Sequence, residues 1–299
     1  MKLGIYHDEH YVLRYGSMSP STVQGYESSY RLHVEHYWAG WEMHEIRVVH
    51  INAWLASEFA GNPGGAEKAY KVLRQILRSA MADECYPDDV VDPTTRGVRL
   101  PRKPWRGEPQ HLTPSQVKAL LVAIDGWEYE PVAMCGIWCG LRRSEQCGLQ
   151  WRDVDLKTGI LHIRRGLQYV RGQVVETEVK THRSLRPHML PRVAVDHMRD
   201  IKRSRRPKPT DWLLGDDPNP DRYARRLRAY CRKHGVACVA PKFFRHTFRI
   251  NSGRAGVPEQ DIQKMLGHKE FSTTYLYMAL DEDVLRADQK ALERLILRA

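Results

Sequence analysis

The sequence predicts a mainly α-helical protein with a small antiparallel β-sheet, split into a helical N-terminal domain and a larger mixed α/β C-terminal domain. Three observations carry that prediction. Apolar residues recur at helical spacing through most of the chain, three short β-rich runs cluster between positions 160 and 190, and a Pro/Gly/basic stretch at 92–110 interrupts the apolar period. With 299 residues, 42% hydrophobic and 28% charged, the chain has the composition of a globular protein and the length for two ordinary domains.

Residues 1–18 are read as a short segment ahead of the helices, without the apolar stretch of a signal peptide. No run is apolar enough to cross a bilayer, so a cytoplasmic protein with no membrane partner is expected. The first helical domain, 19–91, opens at Ser19-Pro20, an N-cap followed by proline at the first helical position. Val23, Tyr26, Tyr30, Val34 and Tyr37 mark its first apolar face. A second helix over 48–59 turns Ile51, Trp54 and Leu55 inward, and a third follows Gly64-Gly65 with Leu73, Ile76, Leu77, Ala80 and Met81 in its stripe. Residues 92–110 read as a basic linker, with Arg102, Lys103 and Arg106 suited to lie along a phosphate backbone. The second domain, 111–299, opens at Thr113-Pro114 and continues with helices near 114–124, 130–139 and from Arg143. The runs Ile160–Ile163, Val174–Val179 and Leu185–Leu190 predict a small antiparallel meander, after which helices resume to the C-terminus.

The charge is distributed unevenly. The net charge of +11 points to a polyanionic partner. Residues 1–110 carry 13 Lys+Arg against 14 Asp+Glu, whereas 111–299 carry 34 against 22, so the basic excess belongs to the second domain. No lipidation signal accompanies it, which favours nucleic acid over a membrane surface. The six cysteines have no disulfide-framework spacing. Cys231, His234 and Cys238 could be read as three zinc ligands, but the spacing is not a standard one and no fourth ligand stands nearby; no metal site is expected.

Four local features suggest chemistry. Gly140-Leu141-Arg142-Arg143-Ser144-Glu145 places an arginine at a helix start with a carboxylate three residues on; Lys180 lies between two strands; Lys242-Phe243-Phe244-Arg245-His246 gathers cationic groups; and Leu266-Gly267-His268 precedes Thr273-Thr274-Tyr275-Leu276-Tyr277. Singly, each is more often a surface ion pair or a core residue. Together they suit displacement at a phosphodiester. Two arginines can clamp the non-bridging oxygens as charge develops, a tyrosine can serve as covalent nucleophile, and a lysine or histidine can protonate the leaving oxygen.

In this order, Gly140-Leu141-Arg142-x-x-Glu145, Lys180 with Ser184 and Arg186 behind it, Arg245-His246-Thr247, Leu266-Gly267-His268 and Thr273-Thr274-x-x-Tyr277 resemble the successive boxes of the tyrosine site-specific recombinases of the phage-integrase type. The region 19–90 resembles their helical core-binding domain, and 111–299 their catalytic domain. The resemblance implies that Tyr277 attacks the scissile phosphate to give a 3′-phosphotyrosyl enzyme, that Arg142 and Arg245 stabilise the pentacoordinate phosphorus, and that Lys180 is the general acid. It further implies that His268 bonds a non-bridging oxygen, that Glu145 orders the site and that Tyr275 is the rival nucleophile. His246 supports the site, and Arg186 joins Arg102, Lys103 and Arg106 as a DNA contact. Neither metal nor ATP is required by such chemistry, so no cofactor is expected.

The implied partners are double-stranded DNA at short core sites, three further copies of the chain in a homotetramer on two synapsed sites, and a directionality factor, inside a bacterial host. The task implied is integration or excision of a phage or mobile element. In the family a terminal helix docks into the neighbouring protomer, and the amphipathic pattern at 283–297 suits that role or packing on its own domain. One position departs from the family: Lys242 stands where histidine is usual. A lysine at its ordinary pKa of about 10.4 is a poor acceptor for the tyrosine proton, so two readings compete. Either Arg245 and burial depress Lys242 enough for it to act as a base, or Lys242 only donates hydrogen bonds to phosphate, and the second is favoured. The competing readings are a type IB topoisomerase-like relaxase and a catalytically silent DNA-binding regulator of the same fold.

Overall fold

The computed structural model describes residues 1–87, 90–104, 107, 110–178, 187–267 and 282–299. The chain divides into two compact units, Met1–Arg106 and Gly107–Ala299.

The first unit is helical: α1 (Leu3–Glu9), α2 (Pro20–Ser29), a π-helical turn Tyr30–Val34 running into α3 (Glu35–Trp38), α4 (Val48–Glu58) and α5 (Pro63–Ala82). The first eighteen residues correct the expectation of a segment ahead of the helices. They form α1 and a 3-10 turn, and Leu3, Tyr6 and Tyr11 are buried with Trp38, Trp54, Leu73 and Ile76. Aromatic stacking draws them in: the His7 ring lies 3.5 Å from that of Tyr30 between centroids, nearly parallel. The terminal ammonium pairs with Glu42 at 2.8 Å. Tyrosine and histidine supply this packing, and neither registers as an apolar period.

The stretch 92–104 has no regular secondary structure and is held along the first unit by side chains. Tyr70 donates its hydroxyl to the Thr94 carbonyl at 2.9 Å, Asn52 bonds the Gly97 carbonyl and the Arg99 amide, and Lys103 pairs with Glu67.

The second unit opens with α6 (Pro114–Ala123), whose capping box closes as Thr113 Oγ1 accepts from the Gln116 amide and Gln116 returns the bond. Next come α7 (Glu130–Cys139), buried throughout, and α8 (Arg143–Cys147). Four strands follow: β1 (Ile160–His162), β2 (Arg165–Val170), β3 (Gln173–Glu178) and β4 (Pro187–Met189). The meander expectation is corrected here. Among the described residues the strands form two separate antiparallel pairs, β1 with β4 and β2 with β3. Arginine, glycine and glutamine dilute the alternation of β2, so it escapes a reading by pattern. Its turn, Arg171-Gly172, has φ of +49° and +83°, the left-handed pair that a tight hairpin needs.

Helices α9 (Arg192–Arg205), α10 (Pro220–Lys233), α11 (Phe244–Arg254), α12 (Glu259–Leu266) and α13 (Glu282–Arg298) complete the unit around α7. α13 packs on its own unit: Leu285, Leu292 and Ile296 are buried, and Gln289 donates to the Trp138 carbonyl at 3.2 Å. The cysteines are free, and burial pushes the Cys135 and Cys147 thiols up to about 12. His234 stacks on Tyr230, and among the described residues Cys231, His234 and Cys238 do not bring three ligand atoms together. Asp125, Glu130 and His197 do lie together, but Glu130 already accepts from the Gly126 amide and pairs with His197 and Arg205. We read this group as the anchor of α9. Among the described residues no helix is long and apolar enough to cross a membrane.

Candidate active site

The site is built on the turn between α7 and α8. Gly140 caps α7 with φ of +59°, and a Cβ there would lie 2.7 Å from the Phe248 ring and 2.9 Å from Leu266. Glycine meets both demands: left-handed backbone and close approach of two side chains. The turn makes Arg142 the N-cap of α8. Its amide donates to Glu145 Oε2 at 2.8 Å and its guanidinium to Oε1 at 2.7 Å, while Glu145 is buried. The Arg142 side chain stays 44% exposed, so guanidinium donors not spent on Glu145 remain open to solvent and suited to binding an anion.

Arg245 reaches the same turn from the other side. Phe244, Thr247, Phe248 and Asn251 form the buried face of α11, and Thr247 and Asn251 lock it to the backbone of Leu112 at 3.1 Å each. Arg245, one residue off that face and half-buried, donates to the Gly140 carbonyl at 3.2 Å and to the Leu266 carbonyl. One guanidinium thus ties the end of α7 to the end of α12, where Gly267 again caps in the left-handed region at φ of +65°. Arg142, Glu145 and Arg245 are brought together around Gly140 and Leu141.

Lys242 is exposed in the 3-10 turn that enters α11, its ammonium 4.7 Å from the centre of the Phe243 ring. Partial burial and the positive charges of Arg245, Arg249 and Lys242 hold His246 below the usual imidazole range. Arg102 and Lys103 belong to the first unit. Lys180, Ser184, Arg186, His268, Tyr275, Tyr277 and Arg106 lie outside the described residues.

Two features escaped the sequence reading. Gln146, fully buried, donates to the carbonyls of Leu141 at 2.8 Å and Pro241 at 3.1 Å, and so joins the backbone beside Arg142 to the backbone beside Lys242. Asp153 and Arg165 form a buried ion pair at 2.7 Å behind α8. The partners that give each its role here, Pro241 for Gln146 and Arg165 for Asp153, lie 95 and 12 residues away, beyond any short motif.

The model of the phage integrase family matches residues 110–283 of this chain. The protein belongs to that family. It is a tyrosine recombinase, an enzyme that cleaves and rejoins DNA strands. Among its relatives, the tyrosine recombinase XerA of Thermococcus kodakarensis is 28% identical over 293 residues, covering 93% of this chain and 92% of that protein. XerA of Pyrococcus furiosus is 31% identical over 208 residues, 66% of this chain and 65% of the relative. Integrase folds are shared as well. The Tn1549 transposon integrase, solved with a circular intermediate DNA, aligns at a TM-score of 0.74 and 19% identity over 98% of this chain and 99% of that one. Lambda integrase, solved as a tetramer on a Holliday junction, aligns at 0.62 and 15% identity over 91% and 80% of the respective chains.

Proposed function

We propose that this recombinase exchanges strands between specific DNA sites through a 3′-phosphotyrosyl link to Tyr277, and that it integrates or excises a phage or mobile element. The observation that supports this reading best is the joint mounting of Arg142 and Arg245 on the Gly140 turn, one through Glu145 and the other through two main-chain carbonyls. Two guanidiniums fixed on one turn suit the equatorial oxygens of a phosphorane, where a preformed donor pair needs no reorganisation as charge develops.

In this mechanism Tyr277 attacks phosphorus as its phenolic proton passes to solvent, the 5′-oxygen leaves with a proton from Lys180, and His268 donates to a non-bridging oxygen. The 5′-hydroxyl of the partner strand reverses the step. Lys242, exposed at the entrance to α11, donates to phosphate. His246, its pKa lowered by partial burial and the neighbouring cations, supports the site as a hydrogen-bonding group. Four protomers on two duplexes carry out two such exchanges through a Holliday junction, with a directionality factor setting the outcome in a bacterial cytoplasm. Residues 19–91 act as the core-binding domain and 111–299 as the catalytic domain. Arg102, Lys103, Arg106 and Arg186 contact the DNA backbone.

A nicked suicide substrate, from which the cleaved end is lost by diffusion, tests the central claim. Wild type is expected to accumulate a covalent protein–DNA adduct and Tyr277→Phe none. An adduct that survives this substitution moves the nucleophile to Tyr275, and the absence of one from wild type overturns the reading.

A further inference from the structure

We infer that Gln146 is a positioning residue for strand cleavage: its side-chain amide brackets the helix that begins at Arg142 to the turn that leads into Arg245, and so sets the spacing of the two guanidiniums. The inference rests on the reading of Arg142 and Arg245 as the clamp on the scissile phosphate.

The bracket starts within α8. Glu145 and Gln146 are neighbours, about 100° apart around a helix, so one can face Arg142 while the other enters the core. Gln146 is fully buried, and its main-chain amide donates to the Arg142 carbonyl at 2.9 Å. Its side-chain Nε2 donates to the carbonyl of Leu141 at 2.8 Å and to that of Pro241 at 3.1 Å. The first bond holds the residue before Arg142. The second holds the opening residue of the 3-10 turn Pro241–Phe243, from which α11 and Arg245 follow directly. The two protons of one nitrogen thus span the two elements that carry the arginines.

The bracket is tight. A Cβ on Gly136 of α7 would lie 2.7 Å from both Cδ and Oε1 of Gln146, and 2.9 Å from the Phe244 ring. Glycine there leaves the slot in which the amide lies beside α11. Oε1 has no hydrogen-bond partner among the described residues. Burying an unpaired acceptor is unfavourable, and an apolar side chain filling the same slot would avoid it. What glutamine adds at this position is therefore its donor pair.

Other contacts hold α11 without fixing its distance from α8. Phe244 and Phe248 pack on α7 at Gly136 and Gly140, but apolar contact is non-directional. Thr247 and Asn251 tie α11 to Leu112 instead. Arg245 itself bonds the Gly140 carbonyl, through the very guanidinium whose position is at issue. The Pro241 carbonyl also accepts from the Phe244 amide, so the start of α11 keeps its own bond when Gln146 is replaced. Loss of the glutamine amide should then shift the start of α11 against α8 more than it unfolds either.

A change of charge on the substrate tests this role. Strand cleavage at saturating protein is followed on a nicked site with an ordinary scissile phosphate and on the same DNA with a methylphosphonate there. Methyl in place of one non-bridging oxygen removes one negative charge, so the transition state carries a single charge where that of the phosphodiester carries two. One guanidinium can meet a single charge, and the spacing between two ceases to limit the rate. Gln146→Met keeps the bulk of the side chain and loses both donors. It is expected to cleave the phosphodiester about ten-fold or more slowly than wild type, and the methylphosphonate within roughly three-fold of wild type.

Equal loss on both substrates places the defect in the fold or in a group outside the clamp, and no loss on either means that Gln146 sets nothing; both overturn the inference. Should Gln146→Met fail to fold, Gln146→Glu, which keeps the shape and puts an acceptor in place of the donor nitrogen, carries the same expectation. Arg245→Ala separates the two levels. If the methylphosphonate does not relieve its loss, the reading of the arginines as a clamp falls and takes the inference with it. If the methylphosphonate relieves Arg245→Ala but not Gln146→Met, only the positioning role falls.

Discussion

Gly140 carries two requirements that usually fall on different residues: a left-handed φ and room for the Phe248 ring and Leu266 against its α-carbon. Its carbonyl also accepts from Arg245. Gly140→Ala should therefore act on stability and chemistry at once. The left-handed backbone costs a non-glycine residue about 1–2 kcal/mol, and the clash adds to it, so a fall of about 1–3 kcal/mol in unfolding free energy is expected with a loss of cleavage larger than the loss of DNA binding. Chemical denaturation and suicide-substrate cleavage measure the two. A variant as stable and as active as wild type would mean that the turn has slack and does not set Arg245. At this scale the motif letters were legible: Gly140, Arg142, Glu145 and Arg245 stand at fixed offsets within short segments. Gln146 and Asp153 were not, because a buried polar residue is explained by what it bonds, and those partners lie 95 and 12 residues away.

Among the elements, helices were easier to read than strands. The cap at Thr113-Pro114 and the stripe of α5 are local patterns, and each yields the element observed. β2 is not local: it is a strand because β3 pairs with it and α8 backs it, and its own sequence alternates poorly. The last helix lies between these cases. Its amphipathic stripe was visible, but the surface it covers was not, and α13 covers its own unit. One residue in it is mismatched. Asp288 has a buried Oδ2 without a hydrogen-bond partner among the described residues, and burial, reinforced by Asp261, raises its pKa to about 6. An aspartate raised from an ordinary 3.8 keeps a proton in the folded state that the unfolded chain has already released. Its contribution to stability is thus most favourable below about pH 4 and is lost as pH rises towards about 6. Asp288→Asn removes the charge and keeps the shape. It should raise the melting temperature near pH 7.5 and have little effect near pH 4. An equal gain at both pH values would assign the effect to helix propensity or repacking instead.

For the molecule as a whole, charge is the property with the widest reach. The first 110 residues are close to neutral overall, yet the first unit places Lys68, Lys71 and Lys103 in one groove with Ser21, Thr22 and Asn62, and Lys71 lies 5.6 Å over the Tyr26 ring. Three of the 13 Lys+Arg of residues 1–110 thus line one groove, with Glu67, which pairs with Lys103, as the carboxylate beside them. Such a groove can read phosphates although the domain is near-neutral, because affinity follows the phosphates neutralised. The small hydroxyl and amide side chains beside them can donate to the same backbone. Binding to the core site should therefore weaken steeply with salt. The slope of log affinity against log salt should fall by about 2 in Lys68→Gln/Lys71→Gln, one unit for each phosphate contact removed. The loss should be similar on specific and random duplexes, since phosphate contacts carry no base information. The rate of adduct formation at saturating protein should not change, because neither lysine belongs to the unit that holds Arg142 and Arg245. Titrations of both duplexes at several salt concentrations decide the matter. An unchanged slope would place the groove away from the DNA, and a loss confined to the specific site would make these lysines readers of bases.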